Sequence, residues 1–270
     1  IWFNPVLANA DGLANLVSVN GELKVWGNPA LTDLGLTSLS SLESMTLQYN
    51  DSLTNLDCLS GLTSVNDYMQ IRVNSVLTDL GGLSNLRSVQ GYLGIAANGI
   101  TNLDGLANLE SVGDTLEISW HDSLDHIALP SLTQVGYSVV IYENQGLQRI
   151  NGLNSLTTIG GDLRIAGNDD TSNISGLTAL TNLGGSLQID ENEGLVNIEG
   201  LTFLTTVGES LLIKNNKVLT NIDGLSGFTA VGDDLEISAN GKLCLSVVDA
   251  LLLGISVQGT TTTSGNDAGC

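Results

Sequence analysis

The sequence has few of the residues that nucleic-acid-binding and membrane-binding surfaces need. Its 270 residues include 8 Lys and Arg against 29 Asp and Glu, for a formal net charge of −21. Phosphate binding requires clustered basic side chains, so nucleic acid and anionic membranes are unfavourable partners. No apolar run reaches the roughly 18 residues that a spanning helix needs, and we expect no membrane insertion.

Residues that carry catalysis and metal binding are equally scarce. The chain has 3 Cys and 2 His, at His121 and His126. It contains no H-E-x-x-H, no C-x-x-C and no phosphate-cradling glycine loop, and a zinc site would lack ligands. We interpret both histidines as substitutes for structural Asn residues. The sequence therefore predicts a protein that is not an enzyme and has no metal centre.

Carboxylates are plentiful but scattered. Their oxygens could hold Ca²⁺ if several converged, and otherwise they form a solvated acidic rim. The sequence favours the rim, so calcium is only a weak cofactor hypothesis. The densest groups are Asp169-Asp170, Asp190-Glu191-Glu193 and Asp233-Asp234-Glu236.

What the chain has in abundance is one repeat of about 24 residues, L-x-N-[LI]-x-G-L-x-x-L-x-x-[VI]-G-x-x-L-x-I-x-x-N. So regular a period indicates a solenoid. His121 fills the one gap in the series of closing Asn residues. That series is Asn4, Asn28, Asn50, Asn74, Asn98, Asn144, Asn168, Asn192, Asn216 and Asn240.

Within each unit, the x-L-x-I-x segment alternates as a strand with one buried face does, for example in Asp162-Leu163-Arg164-Ile165-Ala166. The expected fold is an all-β solenoid, a right-handed parallel β-helix of about ten coils and roughly 50 Å long. We expect the closing Asn side chains to satisfy backbone groups of neighbouring coils, forming a ladder.

Two segments follow from this pattern. Residues 1–243 form the repeat solenoid, whose first coil is incomplete, and residues 244–270 form a C-terminal cap of a short helix and a polar tail. Ser246 with Asp249 fits a capping box, and Gly254 fits a helix stop. A disulfide between Cys244 and Cys270 would close the cap and imply an oxidising compartment, although spacing alone does not establish pairing. Cys58 is expected to be a small buried thiol.

The repeat resembles known families. The L-x-I-x-x-N strand followed by L-x-x-[LI] is similar to a leucine-rich repeat, and the [VI]-G-x-x-L step resembles the receptor L-domain. The ending from Ile237 to Cys244 is similar to the I-x-x-N-x-x-L-C ending of such domains. The resemblance covers residues 1 to about 253 and implies an extracellular or cell-surface solenoid. Receptor signalling is not carried over, because the Cys-rich modules of those receptors are missing.

Large aromatic residues face outward from the strands in the first six coils. Such residues usually mark contacts with a sugar, a protein or another subunit, unless neighbouring parts of the solenoid cover them. We expect them to bind a glycan or protein partner in adhesion or recognition at a cell surface. They are Trp2, Trp26, Tyr49, Tyr68, Tyr92, Trp120 and Tyr142.

Two alternative functions remain open. The chain starts within a repeat unit, so Ile1, Trp2 and Phe3 would form an open edge through which a filament, sheath or surface layer could assemble by self-association. A regular hydroxyl lattice would instead suit an ice-binding solenoid, although Thr is also a favoured exposed strand residue. Such a lattice is suggested by Thr133, Thr157, Thr181, Thr205 and Thr229.

Overall fold

Alternating Leu and Ile residues build the central strand of each coil. Leu163 and Ile165 are fully buried, whereas Arg164 between them faces outward. Because the next coil repeats the pattern, Leu163 pairs with Leu187 in register. The computed structural model describes residues 1–270, and it shows a parallel β-solenoid.

The chain forms 22 strands, all paired in parallel, with seven 3-10 helices and one α-helix. The strands are β1 (Ser18–Trp26), β2 (Ser41–Gln48), β3 (Ser64–Val65), β4 (Met69–Arg72), β5 (Ser88–Val89), β6 (Leu93–Ala96), β7 (Ser111–Val112), β8 (Leu116–Ser119), β9 (His126–Ala128), β10 (Gln134–Val135), β11 (Val139–Tyr142), β12 (Arg149–Gly152), β13 (Thr158–Ile159), β14 (Leu163–Ala166), β15 (Asn182–Leu183), β16 (Leu187–Asp190), β17 (Thr206–Val207), β18 (Leu211–Lys214), β19 (Ala230–Val231), β20 (Leu235–Ser238), β21 (Ser256–Val257) and β22 (Thr261–Thr262). The α-helix is α1 (Leu245–Leu252), and the 3-10 helices are Asp11–Leu13, Asp57–Leu59, Gly81–Leu83, Asp104–Leu106, Ser175–Leu177, Glu199–Leu201 and Asp223–Leu225.

The strands sort into a long ladder and a short ladder. β1 and β2 are long and pair with each other along most of their length. From the third coil onward the strand divides, because β2 pairs with β3 near its start and with β4 near its end. The four-residue strands β4, β6, β8, β11, β14, β16, β18 and β20 continue the long ladder, and two-residue strands beginning at β3 continue the short one. β9 and β12 form a separate two-stranded sheet. The long ladder therefore presents the broad outer face of the solenoid.

The 3-10 helices stack on a further side of most coils, where the D-G-L step turns the chain. A Cβ at Gly105 would lie 2.0 Å from the carbonyl oxygen of Leu80 in the preceding coil, so only Gly fits there. Cys58 occupies the same step as a buried free thiol, and burial raises its pKa. The Leu and Ile side chains of all coils merge into a single core cluster of 67 buried residues, so one core runs through the solenoid.

Asn side chains form a continuous hydrogen-bonded ladder inside the solenoid. The Nδ2 of Asn168 donates to the carbonyl of Ile141 in the preceding coil at 3.0 Å and to Oδ1 of Asn192 in the next coil at 3.2 Å. Its own Oδ1 accepts the backbone N–H and the Nδ2 of Asn144, both at 3.1 Å. Asn168 is fully buried, so these bonds satisfy backbone groups that water cannot reach.

His121 takes the place of one Asn in the ladder and is fully buried. Its Nδ1 accepts the backbone N–H of Asn98 at 3.3 Å, and its Nε2 lies 3.2 Å from the carbonyl of Ile95. An imidazole with its proton on Nε2 therefore reproduces the donor and acceptor of an amide. Burial lowers the pKa of His121 more than hydrogen bonds to the Asn98 and Ile95 carbonyls raise it.

His126 does not act as an Asn substitute, so that interpretation is wrong. The Asn residues of its column cap a 3-10 helix, as when Oδ1 of Asn102 accepts the N–H of Asp104 at 3.0 Å. The coil of His126 forms β9 at this point instead of a 3-10 helix, so there is no helix to cap. The ring of His126 lies 3.1 Å from the Asp125 carboxylate.

The tail is a further partial coil, whereas the sequence suggested that the repeat stops at Asn240. β21 pairs with β19, β22 pairs with β20, and Asn240 donates its backbone N–H to Oδ1 of Asn266 at 3.1 Å. Thr261 occupies the strand position that Leu235 fills one coil earlier. Thr261 is exposed, and a polar side chain therefore takes the place of the buried one.

Helix α1 begins without a capping box, contrary to the sequence interpretation. Cys244 is the N-cap residue and Ser246 lies inside the helix, with no side-chain cap. The first helical N–H, that of Leu245, donates to the carbonyl of Asp267 at 2.8 Å, so a side-chain cap is unnecessary. A disulfide joins Cys244 to Cys270 and ties the helix start to the tail.

The ladder predicts a large effect for Asn168→Ala. Removing this amide leaves the backbone N–H of Asn144 buried without a partner and removes one contact each from the Asn144 Nδ2 and the Ile141 carbonyl, which costs about 2 kcal/mol or more in the free energy of unfolding. Asn182→Ala is the control, since the exposed Asn182 bonds only to its neighbour Thr181 and its loss should cost under about 0.5 kcal/mol. Urea unfolding measures both, and equal midpoints would contradict the ladder's role.

His121 predicts a loss of stability in acid. Its pKa is lowered in the folded state, so the unfolded state binds the proton more readily and stability falls as pH drops below 6.5. His121→Asn should abolish this part of the pH dependence, whereas His126→Asn should keep it. The measurement is the urea midpoint above and below pH 6.5. Parallel pH profiles for wild type and His121→Asn would refute the assignment.

Candidate functional site

The residue before each ladder Asn adopts a left-handed backbone conformation. Because the turn imposes this conformation in every coil, Gly or Asn fits there with least strain. In place of these, the N-terminal coils carry large aromatic residues at three of the positions. The full column is Phe3, Gly27, Tyr49, Val73, Ala97, Trp120, Glu143, Gly167, Glu191, Asn215, Ala239 and Gly265.

The aromatic residues of this column are exposed and contribute little to the core. Phe3, Tyr49 and Trp120 are 64%, 44% and 53% exposed. A bulky side chain in this conformation costs about 1 kcal/mol or more, and none of the three rings belongs to the hydrophobic core cluster. The conformational cost of these side chains therefore has no counterpart in core packing.

The aromatic side chains meet in two groups at the strand ends. Phe3 packs edge-on against Trp26 with ring centroids 4.4 Å apart, and Trp26 packs against Tyr49 at 6.2 Å. Farther along, Trp120 and Tyr142 pack at 5.3 Å. We call these two groups the aromatic edge, with residues Trp2, Phe3, Trp26, Tyr49, Trp120 and Tyr142.

Cationic side chains flank both groups. The guanidinium of Arg164 lies 4.5 Å from the Tyr142 ring, and Nζ of Lys24 lies 5.7 Å from the Trp26 ring. Cation–π contacts of this kind hold aromatic rings in fixed orientations. The edge is thus partly ordered before any partner arrives.

Trp2 and the chain start extend the same edge. The N-terminal amine of Ile1 donates to the Lys24 carbonyl at 2.8 Å, Trp2 pairs with Trp26, and Phe3 donates its N–H to the Trp26 carbonyl at 2.9 Å. Trp2 is 63% exposed. Of the three residues predicted as an assembly edge, Trp2 and Phe3 therefore lie in the aromatic edge, and Ile1 packs against the core beside them.

Tyr68 and Tyr92 belong to the predicted set but lie outside the aromatic edge. They occupy another column of the long ladder and are only partly exposed. Burial and a hydrogen bond to Glu22 raise the pKa of Tyr68. The Tyr92 ring lies across Gly94 of its own strand, so a Cβ at Gly94 would be 2.3 Å from the Tyr92 hydroxyl.

Tyr92 belongs to a polar cluster between the two aromatic groups. Its hydroxyl donates to Glu117 and accepts from Arg72. Arg72 Nη2 also donates to the Glu117 carboxylate at 2.7 Å, and Ser119 Oγ donates to the other carboxylate oxygen at 2.6 Å. We call Arg72, Tyr92, Glu117 and Ser119 the polar cluster. It brings together residues up to 45 positions apart in the chain.

Both titratable partners of Arg72 are shifted. Burial and the neighbouring Glu117 raise the pKa of Tyr92 well above its ordinary value of 10. Burial raises the pKa of Glu117, but hydrogen bonds from Ser119 and Tyr92 together with the Arg72 charge lower it overall. Glu117 is therefore a fixed carboxylate acceptor and Tyr92 a neutral phenol.

Beyond Trp120 the same surface becomes acidic. A groove of about 400 Å³ is lined by carboxylates of Glu143, Asp169, Glu191 and Glu193, with Lys217 beside Glu193. No group of three or more His, Cys, Asp or Glu side chains is arranged to hold a metal ion. Along the solenoid, this surface is therefore aromatic in its N-terminal part and anionic in its C-terminal part.

The structure also shows features that sequence reasoning missed. Tyr137 and Phe203 are 59% and 62% exposed, and both lie in turns outside the central strands. The polar cluster gave no sequence signal, because its members come from three different coils. The left-handed column could have been found from the residue preceding each ladder Asn.

Four of the five threonine hydroxyls considered for ice binding, those of Thr133, Thr157, Thr181 and Thr229, are engaged within the solenoid. Thr157 Oγ1 donates to the carbonyl of Thr133 in the preceding coil at 3.1 Å. In the same way, Thr181 donates to the carbonyl of Thr157, and Thr229 donates to the carbonyl of Thr205. Each hydroxyl proton is thus directed at the backbone of the preceding coil. This use disfavours a free hydroxyl lattice.

No family model matches the chain, and no curated protein matches it. The resemblance to the receptor L-domain therefore rests on the repeat residues. No helix in the structure has the length and apolar character required to cross a membrane.

The packing of Tyr92 predicts a specific effect of Gly94→Ala. The added Cβ would overlap the Tyr92 ring and displace it from Arg72 and Glu117, so the pKa of Tyr92 should fall towards 10. Spectrophotometric titration of tyrosinate should show a tyrosine of the folded wild type that resists ionisation above pH 10 more strongly than Tyr68, whose pKa is also raised. Tyr92→Phe identifies that tyrosine, and an unchanged titration in both variants would refute the assignment.

Proposed function

We propose that this β-solenoid is a non-enzymatic extracellular protein whose aromatic edge binds a glycan or a protein at a cell surface. The observation that carries the proposal is the exposure of Phe3, Tyr49 and Trp120 at positions where the backbone favours Gly or Asn. Residues that strain the backbone without adding to the core are typical of contact surfaces.

The composition of the edge supports recognition. Trp and Tyr supply large, rigid contact area and dominate the binding energy of many interfaces. Trp120 and Tyr142 hold one another edge-to-face, and Arg164 fixes the Tyr142 ring from the other side. Such restraint lowers the entropy lost when a partner binds.

The disulfide supports an extracellular setting. Disulfides form and persist in oxidising compartments, and Cys244–Cys270 closes the end of the solenoid. The resemblance of the repeat to the receptor L-domain favours the same setting. The strong negative charge favours solubility and basic or neutral partners over anionic ones.

Tryptophan fluorescence tests the proposal. All 3 tryptophans, Trp2, Trp26 and Trp120, lie on the aromatic edge, so a bound partner should change their emission or shield them from a quencher. Partners are first sought on a polysaccharide array and among immobilised extracellular proteins. For any that bind, Trp120→Ala and Tyr49→Ala should each weaken the affinity about tenfold.

Phe203→Ala is the matched control, because Phe203 is equally exposed but lies in a turn away from the edge. This variant should bind as the wild type does. Retained binding in both Trp120→Ala and Tyr49→Ala would contradict the assignment of the edge. Unfolding midpoints close to wild type exclude a loss of fold as the cause.

A further inference from the structure

Building on the proposed function, we infer that the aromatic edge takes a neutral, extended β-linked polysaccharide, with the polar cluster as its central hydrogen-bonding subsite. The aromatic groups on either side then act as stacking platforms. Four properties of the surface support this assignment: its spacing, its floor, its polar groups and its charge.

The spacing of the platforms suits a repeating ligand. Gln48, Arg72, Ala96 and Ser119 are paired in successive coils, so Tyr49 and Trp120, each one residue later, lie three coil steps apart. At the strand spacing of about 4.8 Å, three steps come to about 14 Å. One coil step is close to the length of one pyranose unit in an extended β-(1→4)-linked chain. A repeating polymer can therefore meet equivalent positions in successive coils.

The surface between the platforms is low. Val73 and Ala97 fill the left-handed positions there, and Ala96 and Gly94 fill the neighbouring strand positions. Ala96 is only 4% exposed, and the Tyr92 ring over Gly94 and the Arg72–Glu117 ion pair across β6 rise above the sheet beside the positions of Val73 and Ala97. A chain stacked on Tyr49 and Trp120 would pass over this floor without steric conflict.

The polar cluster faces the middle of that path with both kinds of hydrogen-bonding group. Arg72 uses Nη2 for its contacts to Tyr92 and Glu117, which leaves Nη1 for an acceptor. Glu117 is held as a carboxylate, and its Oε1, which accepts only from Ser119, has a further lone pair for a sugar hydroxyl. Sugar hydroxyls both donate and accept, so an Arg and a carboxylate side by side match them in pairs.

Charge decides between classes of polysaccharide. The chain carries a net charge of −21, and the acidic groove containing Glu143 and Glu191 adjoins Trp120 along the edge. An anionic polymer would be repelled along its length, whereas a neutral one incurs no such cost. Aromatic faces also stack on the C–H faces of uncharged sugar rings, burying apolar area without removing a charge from water.

Affinity gel electrophoresis provides the test, because so acidic a protein migrates readily through native gels. The gels contain mixed-linkage β-glucan or xylan as neutral polymers, or polygalacturonate as the anionic one. We expect retardation by a neutral polymer and none by polygalacturonate. Trp120→Ala should lose at least about tenfold in affinity, and Glu117→Gln about fivefold.

The chain offers a matched control for Glu117. The segment Leu235-Glu236-Ile237-Ser238 repeats Leu116-Glu117-Ile118-Ser119, and Ser238 donates to Glu236 at 2.7 Å in the same way. Glu236 lies far from the aromatic edge along the solenoid, so Glu236→Gln should leave retardation unchanged. An equal loss in Glu117→Gln and Glu236→Gln would overturn the polar subsite.

The remaining outcomes distinguish a failure of the polysaccharide inference from a failure of the proposed function. If no neutral polysaccharide retards the protein while a protein partner binds in a Trp120-dependent manner, the polysaccharide inference fails and the proposed function stands. If retardation occurs but Trp120→Ala and Tyr49→Ala leave it unchanged, both fail. Because Trp120 is exposed, its replacement tests binding even if Glu117→Gln loses stability.

Discussion

One buried amide in each coil holds the solenoid together. The chain must turn at the end of every strand, and in a dry interior this turn leaves backbone donors and acceptors that water cannot satisfy. The Asn ladder supplies hydrogen-bond partners for these groups, and each amide bonds to both the preceding and the following coil. His121 fits because an imidazole also has one donor and one acceptor. The left-handed residue before each amide follows from the same turn.

The repeat made most of the fold predictable. Buried strand positions such as Leu163 and Ile165, and the ladder as far as Asn240, follow directly from hydrophobic alternation and period. The final coil could not be found in this way, because the exposed Thr261 stands where earlier coils have a buried Leu. A pattern of buried hydrophobic positions cannot predict a coil in which those positions are exposed.

The candidate site was predictable only in part. Outward aromatics could be placed on columns, since strand periodicity determines which residues share a face. The contacts of these aromatic side chains could not be predicted. The Tyr92 ring lies flat on Gly94, and its hydroxyl bonds to Arg72 and Glu117. Tyr92, Arg72 and Glu117 come from three different coils. Side-chain direction across coils depends on the size of neighbours, and the absent side chain of Gly94 gave no signal of its own.

The two parts of the edge differ in chemistry while sharing one backbone. Aromatic groups and a hydrogen-bonded polar cluster occupy the first part, and carboxylates line the second. A partner that lies along the solenoid would thus meet stacking surfaces first and repulsion of anions next. Stacking contacts and the repulsion of anions together would make this surface more selective for a partner than either property would alone.

The left-handed column also bears on how such a surface can change over evolutionary time. Its side chains lie outside both the core and the ladder, and Gly, Ala, Val, Glu, Asn, Tyr, Phe and Trp all occur in it within this one chain. One position in every coil is therefore open to substitution without cost to the interior. The coils can therefore stay the same while the side chains of this column change one at a time. A single substitution in the column would alter the surface and leave the supporting coils unchanged.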